Sequence, residues 1–348
     1  MIPHEKNDAV IRGLREAFGV DQFDDIRAIT KGQTTALVYR IVVGGSPYLL
    51  KIITRPYQMI GPDRLFTCMQ SAAEAGIAPR VLYQSVADGI WITDFVEEIA
   101  FTESEARRRM PELLRVLHAL PPFPRTENHI NTTCTFLLHA GPARDGFFRA
   151  FQASNVVTPE AFEQLVAWHA QLVEAYPHDD VEADMLSSHN DLFKPDNILF
   201  DGARVWLVDW EAAFLNDRYA DLAAVANLLF TSEEEQGMLL NAYFGKPANE
   251  HQLARFYLMR QTTHMFYGMA FQLLGASSGG EAGSEEMPSS EAFRRRMWAG
   301  EINLADKAAK ITYGRVHWNE MVKNAHTSRH TDALRISASS KVAKSAQV

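Results

Sequence analysis

The chain has 348 residues, 47% of them hydrophobic and 22% charged, a balance ordinary for a globular protein with a sizeable core and room for two lobes. Its 34 Lys and Arg against 43 Asp and Glu leave a formal net charge of -9, which argues against nucleic acid or an anionic membrane surface as the main partner. Cys68 and Cys134 lack C-x-x-C spacing, no apolar run reaches the ~18 residues that span a bilayer, and the N-terminus lacks a secretory pattern. A zinc site, a disulfide framework and a membrane span are therefore not expected; a cytoplasmic location is.

Residues 1–30 read as a helix with a short lead-in, since Val10, Ile11, Leu14, Ala17 and Phe18 recur at helical spacing. "TTALVYRIVVGGSPYLLKII" then predicts a hairpin, with strands Thr34–Val43 and Tyr48–Ile53 around Gly44-Gly45-Ser46-Pro47. "DRLFTCMQSAAEAG" is helical and stops at Gly76, with Pro79 beyond it. "RVLYQSV" and "GIWITDFV" supply two more strands. After Val96 the chain turns mostly helical, with Leu113, Leu114, Leu117 and Leu120 sharing one face. Thr158 and Pro159 cap a helix whose apolar stripe runs Phe162, Leu165, Val166, Leu172, Val173. Two short strands, "NILF" and "RVWLVDW", flank the turn Asp201-Gly202. From Ala220 helices resume, interrupted by a polar, turn-rich stretch at 277–291, where the acidic run Glu281–Glu286 reads as a solvated loop.

The boundaries expected are 1–96 for a small β-rich lobe with one packed helix, 97–335 for a larger helical lobe, and 336–348 for a disordered tail. Between the lobes, at 187–213, four Asp, one Glu, two Asn and a His stand beside apolar runs. A buried carboxylate is costly unless paired or bound to metal, so these side chains are expected to face a ligand.

Phosphoryl transfer needs a carboxylate at the acceptor hydroxyl, ligands for Mg²⁺, a cation on the phosphates and a covering loop. "HNDLFKPDN" offers Asp191 as the carboxylate and Asn197 as a metal ligand. "LVDWEAA" offers Asp209 for Mg²⁺, while Glu211 is open to two roles, a second ion or a pair with Arg218. Lys51 would project from its strand towards the phosphates. "KGQTTALVYR" would cover them, with Gly32, Thr34 and Thr35 in reach.

These strings resemble the choline/ethanolamine kinase and aminoglycoside phosphotransferase superfamily, over roughly residues 28–275. "HNDL…NILF" followed by "LVDWEAAFLNDRYADLA" carries the likeness, with "LHALP" and "AGIAPRVLY" in support. Asp209-Trp210-Glu211 and "RQTTHMFYGMAFQ" are similar to the choline kinase branch. The resemblance implies an α+β, protein-kinase-like two-lobed fold. It implies that Asp191 is the catalytic carboxylate, that Asn197 and Asp209 hold Mg²⁺, and that His189 and Asp221 brace the loop. ATP would meet backbone near Asp94 and Val96, and Phe266, Tyr267 and Phe271 would line an acceptor pocket.

Three departures from the family pattern stand out. Asn197 lies six residues after Asp191 instead of five, so either the loop bulges or Asp196 shares the role. The helix before "AGIAP" has no Glu placed to pair with Lys51, Asp63 being too early and Glu74 too late. Ala36 stands where choline kinases often carry Asn.

The expected activity is transfer of the ATP γ-phosphate to a small-molecule alcohol, led by choline or ethanolamine. An aminoglycoside or sugar O-phosphotransferase is the competing enzyme, and a nucleotide-binding pseudokinase the competing class. The bland alternatives are a capped turn for Asp191 and Asn197, a snorkelling surface lysine for Lys51, and core packing for the aromatic trio.

Overall fold

The computed structural model describes residues 2–29, 36–53, 61–126, 133–176, 182–230, 232–277 and 287–345. The N-terminal lobe opens with helix α1 (Asn7–Phe18) and strand β1 (Asp25–Ile29), followed by the hairpin β2 (Ala36–Val43) and β3 (Ser46–Ile53). Helix α2 (Pro62–Glu74) and strands β4 (Val81–Ser85) and β5 (Ile90–Asp94) complete it. The strands form one antiparallel sheet in the order β1-β2-β3-β5-β4. Gly44 and Gly45, both at positive φ, make the two-residue turn whose twist suits a tight hairpin. The lead-in expected before the hairpin is in fact edge strand β1. Its neighbours alternate apolar and polar too loosely for the pattern to stand out.

Side chains alternate across a strand, and that alternation divides this sheet cleanly. Tyr39, Ile41, Leu50, Ile52, Ile90 and Ile92 pack under α1 as a small apolar core. Val38, Leu49, Lys51, Trp91 and Thr93 face the other way, into the space between the lobes. Trp91 and the buried face of α2 join the core of the second lobe, so the lobes share apolar packing. Backbone adds to the junction, the Leu207 amide donating to the Ile77 carbonyl at 2.7 Å.

The C-terminal lobe continues with α3 (Glu103–His118), α4 (Pro142–Ala153), α5 (Pro159–Ala175), β6 (Met185–Ser188), β7 (Ile198–Phe200), β8 (Val205–Leu207) and β9 (Phe214–Asp217). Helices α6 (Arg218–Leu229), α7 (Glu233–Phe244), α8 (Glu250–Ser277), α9 (Ser290–Trp298), α10 (Lys307–Ala325) and α11 (Ser328–Ser345) follow. Strands β6 and β9 pair with each other, as do β7 and β8, giving two small ladders that carry the loops between the lobes. Thr158 caps α5 as expected, accepting from the Ala161 amide, an interaction worth about 1 kcal/mol. On α5 the stripe is Leu165, Trp168 and Leu172, while Val166 is exposed.

The two-lobed α+β architecture expected of the resemblance is the one observed. The tail expected to be disordered from 336 is instead helical through Ser345, and the fully buried Ser337 donates to the Ala175 carbonyl at 2.9 Å. A serine-rich helix has no apolar period to betray it. Of the insert at 277–291, residues 278–286 lie outside the described residues. Among the described residues no helix is long and apolar enough to cross a membrane.

Candidate active site

Lys51 sits on the cleft face of β3 because Leu50 and Ile52, its neighbours, are consumed by the core under α1. It is 7% exposed, lies 5.1 Å from the Trp91 ring centroid, and donates to Asp209 Oδ1 and Glu211 Oε1, each at 2.9 Å. Burial works against its charge, yet the two carboxylates outweigh it and raise its pKa. Lys51 is therefore no surface lysine. Its partners come from the Asp209-Trp210-Glu211 segment, and Arg218, the alternative partner for Glu211, pairs with Asp184 at 3.0 Å.

Asp209 ends the β8 hairpin with φ 67° and ψ 60°, a left-handed conformation that costs a non-glycine residue energy and is most often kept for a local purpose. The kink leads into a 3-10 turn, Trp210–Ala212, anchored by the buried Trp210 ring, whose Nε1 donates to the Leu207 carbonyl. Burial pushes the Asp209 carboxyl up, but Lys51 and then Lys194 override this and hold it down to about 2. It is ionised at any ordinary pH.

The loop after β6 carries Asp191. Asp221, fully buried on α6, accepts the backbone N–H of His189 at 2.9 Å and of Asn190 at 2.7 Å. Its other contact is His118 Nε2 at 3.3 Å. His189 Nε2 donates to the Val208 carbonyl at 3.0 Å, tying this loop to the one bearing Asp209. Asn190, also left-handed, donates its amide to the Ala212 carbonyl at 3.0 Å. Each of these contacts fixes backbone, which is what a loop presenting one carboxylate requires.

Asn197 Nδ2 donates to both the backbone oxygen and Oδ2 of Asp191, each at 2.7 Å. Asn197 thus keeps its contact with Asp191 across the longer loop, and the exposed Asp196 lines the same cavity. Burial raises the Asp191 pKa and the Asp209 charge adds to the rise, while Lys194, 3.5 Å from Oδ2, opposes it.

In the same loop the Phe193 ring centroid lies 4.8 Å from Tyr267, 5.5 Å from Phe271 and 6.2 Å from Tyr313. Tyr267 and Phe271 therefore meet the loop bearing Asp191. Phe266 does not; it packs on Phe136 and Phe147.

Between the lobes lies a cavity of about 340 Å³, walled by Val38 and Leu49 above, Leu199 and Leu207 below, and floored by Lys51 and Asp209. Asp94 and Val96 line its inner edge. Gly32, Thr34 and Thr35, expected to cover it, lie outside the described residues.

Among the described residues no three His, Cys, Asp or Glu side chains converge into a metal cage. The donors present, the Asp209 carboxylate and the Asn197 amide oxygen, are hard oxygens. They fit Mg²⁺, which keeps several waters and completes its shell with substrate phosphates. Three contributors escaped sequence reasoning: Lys194, Arg64 on α2, and Tyr313. Lys194 stood in the quoted loop string, whereas Arg64 and Tyr313 reach the site from distant positions and carry no local signal.

Comparison with known proteins accords with this geometry. No curated protein matches the chain by sequence. A choline/ethanolamine kinase family protein from Mesorhizobium loti has a similar structure, with TM-score 0.63 and 19% identity, covering 95% of this chain and 98% of that one. Choline kinase from Cryptosporidium parvum Iowa II gives 0.61 at 12% identity, covering 93% and 98%. A spectinomycin phosphotransferase solved with ADP and spectinomycin gives 0.52 at 13%, covering 95% and 97%. Identities this low speak for the fold. The family comes from the sequence: residues 25–257, most of the chain, match the phosphotransferase enzyme family, to which this protein belongs as a small-molecule kinase.

Proposed function

We propose that the enzyme transfers the γ-phosphate of ATP to the hydroxyl of a small amino alcohol such as choline or ethanolamine. The observation that carries this reading is one inter-lobe cavity lined by Lys51, Lys194, Asn197 and Asp209, with Asp191 held against Asn197 and Lys194.

Adenine would lie between the apolar walls, against the backbone at Asp94 and Val96. Lys51 would bear on the α- and β-phosphates. Asn197 and Asp209 would hold Mg²⁺, which when bound neutralises phosphate charge. Asp191, fixed by Asn197, would orient the acceptor hydroxyl and take its proton as its oxygen bonds to the γ-phosphorus and the bond from that phosphorus to the bridging oxygen breaks, releasing ADP. Its raised pKa suits it to that proton better than an ordinary carboxylate. Most of the acceleration would come from positioning and charge neutralisation. The amino alcohol is the acceptor that the choline kinase likeness suggests; the rings of Tyr267, Phe271 and Tyr313, buried and packed beside Phe193, would have to turn a face to its ammonium group.

The test is ADP release from Mg-ATP against choline, ethanolamine, other amino alcohols, aminoglycosides and simple sugars. The expected result is turnover dependent on an amino alcohol, falling by ~10²–10⁴ in Asp191→Asn. Turnover only with aminoglycosides or sugars would reassign the acceptor. Tight Mg-ATP binding without turnover on any acceptor would favour a pseudokinase.

A further inference from the structure

Helix α2 carries a buried guanidinium. Arg64 is 8% exposed; its Nη1 donates to the Ala213 carbonyl and its Nη2 to the Glu211 carbonyl at 3.1 Å. The Phe214 ring centroid lies 5.8 Å away. Burial lowers its pKa, and only Cys68 opposes the shift, in keeping with the lack of a carboxylate partner among the described residues. Burying a cation without a counter-charge is costly, so the two carbonyl bonds have to offset it. One turn on, Cys68 Sγ donates to the same Ala213 carbonyl at 3.6 Å. Helix α2 thus grips residues 211–213 by their backbone, directly behind the side chain of Glu211 that holds Lys51.

We propose that Arg64 is a positioning residue for nucleotide binding: by fixing the backbone of Glu211 and Ala213 it keeps the Glu211 carboxylate on the Lys51 ammonium. The counter-charge of the strand lysine then comes from the segment after β8, and α2 contributes the cation that seats it. This rests on the nucleotide-binding part of the function proposed above. It assigns Glu211 to Lys51 and not to a metal ion.

The experiment is calorimetric titration of ATP, with Mg²⁺ and separately in EDTA, into the full chain and its variants. Arg64→Met is expected to weaken ATP binding about tenfold, as for loss of a hydrogen bond from a charged group. Arg64→Lys, which reaches one carbonyl, falls between, and it carries the test if Arg64→Met does not fold. Glu211→Gln has a similar effect, and the double variant is no worse than the weaker single, because both act through one ion pair. The losses persist in EDTA. Arg107→Met removes a partly buried arginine that bonds the Leu229 carbonyl and Glu235, far from the cleft, and binds ATP as the wild type does.

Multiplying losses in the double variant would overturn the proposal, as would losses confined to Mg²⁺, which would make Glu211 a metal ligand. Unchanged affinity in both Arg64 variants would overturn it too. A wild-type chain that binds no ATP would instead sink the proposed function, and this inference with it.

Discussion

Asp221 concentrates the rigidity of the loop bearing Asp191 in one side chain. It takes two consecutive backbone N–H groups, from His189 and Asn190, in a site without exposure. Asp221→Ala leaves both donors buried and unpaired, so a loss of about 2–5 kcal/mol is expected in urea unfolding, with turnover falling further than stability alone explains. Asp221→Asn keeps one acceptor and should lose less. The candidate residues were legible because Asp191, Asn197, Asp209 and the bracing Asp221 sit in contiguous strings whose spacing is itself informative. Glu211 was legible as a carboxylate but not in its role. That depended on Arg64, whose partners are two carbonyls, and backbone acceptors leave no mark on a sequence.

Among the elements, those with an apolar period were readable and those without were not. Helices α2, α3 and α5 and the β2–β3 hairpin announce themselves. Strands β6 and β9 have four residues each and are held by mutual pairing, so no alternation develops, and α11 is seated by Ala333, Leu334, Ile336 and a buried serine hydroxyl. The pair α8 and α10 shows a different dependence. At Gly314 an added Cβ would come 2.7 Å from the backbone nitrogen of Gln272, closer than packed atoms allow. Gly314→Ala should therefore force the helices apart and cost about 1–3 kcal/mol, seen as a lower unfolding midpoint. The displacement should also raise the KM for the acceptor, because α10 carries Tyr313, whose hydroxyl donates to the Phe193 carbonyl at 3.3 Å.

At the scale of the molecule, acid stability should follow a buried pair in the helical core. His264 Nδ1 and His317 Nδ1 lie 2.8 Å apart, both buried. Burial, then His317 and the nearby Arg260 and Arg294, push His264 well below its ordinary pKa; burial and Arg294 lower His317 to about 3. Folded-state values below the unfolded ones mean that the unfolded chain binds more protons once pH drops under about 6.5. Stability contributed by the neutral pair is full above that value and declines towards pH 3, by up to about 1.4 kcal/mol per pH unit for each ring. Urea unfolding at pH 7.5, 6 and 5 should show the decline, and His317→Phe should flatten it.

The shared core beneath α2, stitched by the Leu207–Ile77 hydrogen bond, also constrains how the cleft can open. A hinge limited to residues 94–97 would let the whole upper lobe swing. Here the rear of that lobe is welded down, and the point where Ile77 meets Leu207 acts as a fulcrum. Lys51 ties β3 to the same lobe, so the freedom left is expected at the β1–β2 edge, with nucleotide entering and leaving beneath it. Hydrogen exchange would register this as two populations, with the Leu207 amide among the slowest in the protein and the amides of β1 and β2 opening independently of it.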